Sequence, residues 1–253
     1  TASPAANAYE SPAYTGTNAT LSMLFRKAAK RDPTTRVKAF QELAQFLQFP
    51  SEAGPTPEQV AEVRGLVGHL VYLYVRMCFD SDRQVRSALN NLLKHVVRGG
   101  RCCLETCNQS GFDIQRIFWC AAQVLVDKRS LGPHMQALIG AWRMAMCDPF
   151  LESARHATEA FKNAIPPKKR RQVLLYLSTP ALSYLNEKMR AQLGSLSDPY
   201  GAEDPAPEVV EERYERVVSS AMLALARLME DVLKQAEGEE ESKAQELKVR
   251  KHA

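Results

Sequence analysis

Along most of this chain apolar residues return every three to four positions, with polar residues between them, which is the period of a helix buried on one side. Leu21, Leu24, Phe25 and Ala28 share one face of a helix that starts near Asn18. Asp32-Pro33 restarts the chain: the carboxylate can accept from the first amides of the next helix, and Pro at the first helical position forfeits no hydrogen bond. Val37, Phe40, Leu43, Ala44 and Leu47 then form the second stripe. Thr56 with Gln59 makes a capping box, Pro57 following Thr56, ahead of a third stripe of Val60, Val63, Val67, Leu70 and Tyr74. A fourth helix from about Ser81 carries Val85, Leu89, Leu92 and Val96, and stops at Gly99-Gly100. Pro133 opens another helix through Leu138 and Trp142, and Asp148-Pro149 turns into its partner, with Leu151, Ala154, Ala157 and Phe161. Further helices fill 168–193, and a long one runs from about Glu208 to Ala236 with Val210, Tyr214, Val217, Ala221, Leu225, Leu228 and Val232.

Helix pairs whose turns begin with Asp recur at Asp32, Asp80 and Asp148. Set in register, they are offset by 80 − 32 = 48 and 148 − 80 = 68 residues. The first offset is close to the period of about 40–47 residues of HEAT or armadillo units, and the second is long by about 20. One pair cannot bury its apolar face alone, so the expected fold is all-α: HEAT/armadillo-like stacked helical hairpins, an α-solenoid. The expected organisation is an irregular arm at 1–18, a helical repeat domain at 19–236, and a charged tail at 237–253. Within the repeat domain, 101–131 reads as an insertion or long connection, and 194–207 as a linker before the last helix.

Composition adds exclusions. The net charge of +4 is too mild to announce nucleic acid by itself, so any such contact must rest on a local patch. No apolar run is long enough for a membrane span, and the N-terminus has neither the basic lead nor the apolar stretch of a signal peptide. The missing initiator Met is expected of a fragment or a processed chain. Cys78, Cys102, Cys103, Cys107, Cys120 and Cys147 show no zinc spacing and read as reduced cytosolic thiols. No phosphate loop, nucleophile elbow or paired catalytic acids appear, so the chain reads as a binder without catalytic residues of its own.

Leu24-Phe-Arg-Lys with Lys30-Arg-Asp-Pro-Thr-Thr-Arg-Val-Lys-Ala-Phe-Gln-Glu-Leu43 resembles the N-terminal signature of the listerins, large RING-type E3 ubiquitin ligases. The segments Leu73–Arg86 and Ile139–Phe150 carry the same likeness, while 101–131 departs from the family pattern. The resemblance implies a role in ribosome-associated quality control and protein degradation. In that role the N-terminal domain docks on the 60S ribosomal subunit bearing a stalled nascent chain, beside the partner that recognises the peptidyl-tRNA and extends that chain. It also implies a cytosolic, ribosome-associated protein whose ubiquitin-charged E2 is recruited by a C-terminal RING; zinc is expected only there, and no cofactor in this stretch. The alternative is a generic HEAT scaffold serving transport or assembly.

The candidate ribosome contact is the corner Lys30, Arg31, Asp32, Pro33, Thr34, Thr35 and Lys38, where cations, hydroxyls and the amides of a helix N-terminus suit phosphate oxygens. The plainer reading makes Asp32 and the threonines a cap and the lysines solvated; the resemblance favours the contact, with Asp32 structural. Tyr14 and Thr15 of the arm can reach the same surface. Lys168, Lys169, Arg170 and Arg171 form a second basic run, read either as an RNA contact or as the polar start of a helix. Arg83 and Arg86, beside Asp80 and Asp82, read as exposed surface pairs worth less than about 1 kcal/mol each.

Overall fold

Asn18, Asp32 and Asp82 each begin a helix in the same way: extended backbone, with the side-chain oxygen accepting from amides two or three residues on. The computed structural model describes residues 18–47, 57–97, 131–165, 167–193, 196 and 206–251. Among these, nine α-helices and no strand are found. They are α1 (Ala19–Ala28), α2 (Pro33–Phe46), α3 (Pro57–Met77), α4 (Arg83–Val96), α5 (Met135–Ala145), α6 (Leu151–Ala164), α7 (Pro167–Tyr176), α8 (Ser178–Met189) and α9 (Pro207–Lys251). A 3-10 turn at Gly132–His134 leads into α5. The protein is an all-α solenoid, as its periodicity predicts.

Helices α2, α4 and α6 lie side by side in one layer, and α3, α5 and α8 contact one another in sequence in the other. Each apolar stripe is covered by the neighbouring pair, which is why no hairpin stands alone. Phe40, Val63, Val85, Ile139 and Ala157 are fully buried along this shared core. Trp142 is sealed between α5 and α6, its ring edge-on to Phe161 and its Nε1 donating to the Ala157 carbonyl at 3.0 Å. Where α5 meets α8 the backbone approach requires glycine: a Cβ on Gly140 would sit 2.5 Å from the Tyr184 side chain.

The long helix α9 packs on α8 and α5 and crosses the corners that join the hairpins. It continues to Lys251, so the boundary expected at 236 is not a helix end. The arm at 1–17, nearly all of the segment 101–131, the Thr56 cap and most of the linker lie outside the described residues.

Candidate docking surface at the helical corners

The first corner, between α1 and α2, presents Lys30, Arg31, Asp32, Thr34 and Lys38 to solvent, with Pro33 and Thr35 half-covered. Asp32 accepts from the Thr35 amide at 2.8 Å and from the Thr35 hydroxyl. Those two bonds hold its carboxyl below the ordinary range. The Thr35 amide, anticipated as a phosphate donor, is therefore occupied by Asp32, and hydroxyl and cations remain as the corner's offer. The corner's carbonyls face the other way: Arg36 Nη1 donates to those of Lys30 and Arg31 at 2.9 and 2.7 Å.

Arg36 was not among the candidate residues, yet it organises them. It is only 2% exposed, and its Nη2 donates to Asp80, at 2.9–3.0 Å from both carboxylate oxygens. One turn of the ladder on, Arg86 repeats the arrangement. Its Nη1 donates to the carbonyls of Asp80 and Ser81, while Nε and Nη2 hold Asp148 at 2.7 and 3.2 Å. Arg86 is 3% exposed, so the reading of it as a surface pair is overturned: this is a forked, buried ion pair between repeats. Arg83 behaves differently again, lying 5.4 Å over the Phe150 ring.

The helix caps also correct the register. Asp32 matches Asp82, both capping residues, so the first offset is 82 − 32 = 50. Asp80 and Asp148 share a different position, three residues before the helix, where each accepts the amide two residues on, at 2.9 and 2.8 Å. That position takes the arginine of the preceding repeat. The signal was present as Asp80-x-Asp82-x-x-x-Arg86, although its partners lie 44 and 62 residues away along the chain. A polar thread continues the ladder inward: Tyr74 donates to Asn90 at 2.6 Å, Asn90 to Ser153 at 2.9 Å, and Ser153 to Asp148 at 3.1 Å.

The second and third corners are closed by α9. Arg216 donates to the carbonyls of Phe79 and Asp80, and Arg213 to Leu196 and the Ser81 hydroxyl. Ser220 and Arg227 serve the carbonyls of Cys147 and Met146. Burial, aided by neighbouring Arg86, lowers Arg216 to about 10, still cationic at neutral pH.

Of the second basic run, only Arg170 has a described side chain; it is half-buried and donates to the Ile165 carbonyl at 3.5 Å. Lys168, Lys169 and Arg171 lie among the first five residues of α7, their side chains outside the described residues. Cys78 and Cys147 are buried free thiols, and burial pushes Cys78 up to about 12, far from a nucleophile's range. Among the described residues no cluster of His, Cys, Asp or Glu is arranged to hold a metal, and no helix is long and apolar enough to cross a membrane.

Stacked helical hairpins joined at capped corners define an all-α solenoid domain. The family model described as "E3 ubiquitin-protein ligase listerin, N-terminal domain" matches residues 15–105 and 120–251, and the chain belongs to that family. The unmatched stretch, 106–119, is narrower than the departure expected at 101–131. The chain is similar to E3 ubiquitin-protein ligase listerin of Mus musculus, 26% identical over 82% of this chain and 10% of the relative. The listerin of Neurospora crassa is 24% identical over 82% of this chain and 11% of its own length, and that of Drosophila melanogaster 20% over 82% and 10%. The chain thus spans about a tenth of the length of these curated relatives.

Proposed function

We propose that this chain is the ribosome-docking end of a listerin-type E3 ubiquitin ligase. It holds the 60S subunit carrying a stalled nascent chain, beside the factor that reads the peptidyl-tRNA, while a RING elsewhere in the longer protein recruits the charged E2. The protein works in the cytosol, on ribosomes, in ribosome-associated quality control, through HEAT-type repeats. Ubiquitin transfer and zinc belong to the RING, and this domain contributes binding alone.

One observation supports this reading most directly. At the first corner the carbonyls are drawn inward to Arg36, leaving Lys30, Arg31 and Lys38 as the outward chemistry. A rigid backbone that withholds its negative ends and displays cations suits phosphate oxygens. Asp32 sits in the middle of the cations, but its charge is directed at Thr35.

The test is co-sedimentation with purified 60S subunits across a salt series. Two to three phosphate contacts predict binding about 10- to 40-fold weaker at about 200 mM than at about 50 mM salt. The Lys30→Glu/Arg31→Glu variant should lose pelleting with its helical circular dichroism unchanged. Undiminished pelleting of that variant would remove the corner from the contact.

A further inference from the structure

Helix α9 has two faces that differ in kind. One is buried on the corners, through Arg213, Val217, Ser220, Ala221, Ala224 and Leu228. The opposite face is exposed and changes character along its length. Glu208, Glu211, Glu212 and Glu215 stand at its N-terminal half, all exposed. Met222, Ala226, Met229 and Leu233 follow at spacings of four, three and four residues, which align them in one stripe. Met222, Met229 and Leu233 are 59%, 56% and 61% exposed, and Leu223 beside them 44%. A scattered exposed Leu or Met needs no explanation, but four large apolar side chains on three successive turns of one helix form a patch.

We propose that this face of α9 docks a helix of a protein partner whose apolar seam is flanked by Lys or Arg. The spacing is that of helix-on-helix packing, in which residues three and four apart form the seam and adaptable Met side chains accept varied neighbours. The acidic half supplies the charge complement and sets the partner's direction. From Glu208 to Leu233 the face is 25 residue steps, about 38 Å at the helical rise, long enough for several partner turns. Carboxylates repel nucleic acid and anionic membranes, so neither fits this face. A parallel second copy would set four glutamates against four, whereas a Lys- or Arg-flanked partner helix neutralises them. This surface does not depend on the ribosome reading, which rests on the first corner.

The test uses the full chain and a fluorescein-labelled two-heptad peptide of Leu and Lys at heptad spacing, followed by fluorescence anisotropy. Saturable binding is expected, about tenfold weaker for the same peptide with Glu in place of Lys and for the Met229→Asp variant. The Glu211→Lys/Glu215→Lys variant should weaken binding and flatten its salt dependence, with sedimentation to 60S subunits unchanged. Equal binding of both peptides, or affinity unmoved by either variant, overturns the proposal. So does a wild-type dimer in sedimentation velocity that Met229→Asp turns into a monomer, or preferential binding to neutral phosphatidylcholine vesicles. Exposed positions on a helix exterior are expected to leave folding intact, which circular dichroism checks.

Discussion

The first corner and the two that follow share one backbone plan but differ in what covers them. At Phe79–Asp82 and Met146–Phe150, arginines and a serine from α9 take up carbonyls at the ends of α3 and α5. Asp80 and Asp148, in turn, are each gripped by the arginine of the repeat before. At Lys30–Thr35 no residue of α9 arrives among the described hydrogen bonds, and Arg36 alone serves the carbonyls. Where the later corners carry an aspartate with a buried carboxylate, three residues before the helix, the first carries the exposed Lys30. Among the described residues, the two later corners are taken up by neighbouring repeats and α9, while the first presents its side chains to solvent.

The contrast can be tested by cutting each kind of corner. Asp148→Ala should do the most damage: it leaves Arg86 buried without its carboxylate and deprives Ser153 and the Phe150 amide of an acceptor. A loss of about 3–5 kcal/mol is expected in urea unfolding. A loss under about 1 kcal/mol would show that the closed corners are held by α9 alone.

Gly140→Ala acts on the same closed side from a distance. The added methyl would meet the Tyr184 side chain at 2.5–2.6 Å, so α8 must shift, and α9 rests on α8. Overpacking of this kind costs about 1–3 kcal/mol. Hydrogen exchange should show faster opening in α8 and α9 with α2 unchanged; equal loosening of α2 would mean the two sides are not separable.

Asp32→Ala should have the smallest effect, confined to the first turn of α2, because the residue is exposed and caps one helix. Its dependence on pH has a definite sign. Since the folded carboxyl titrates below its unfolded value of about 3.9, its contribution is complete above that pH and disappears as pH falls through the lower folded value. Thermal melts of wild type and variant should therefore converge in strong acid and separate towards neutrality. A gap that persists below the folded value would assign the effect to packing rather than to the charged cap.

Much of this was legible beforehand. Asp32-Pro33 specified both the stop and the restart, since capping and the proline ring act within a few residues. Stripes such as Leu21, Leu24, Phe25 and Ala28 were found buried as spaced. The failures concern residues whose environment is set far along the chain. Arg86 on an amphipathic helix beside two aspartates looks solvated, and only the stacking of α6 brings Asp148 to it. Arg213 and Ser220 lie on the buried face of α9 because that helix covers polar groups, the Ser81 hydroxyl and the Cys147 carbonyl among them, as well as apolar side chains.

Short-range chemistry, then, determined by itself where helices begin, which side of each is apolar, and that cations crowd the first turn; these effects decay over one or two helical turns, so a local stretch contains them. Which corners are closed, and which is open among the described residues, was decided by tertiary structure alone. Burying a guanidinium is costly unless a carboxylate and several carbonyls converge on it, and that convergence exists only once distant hairpins have stacked.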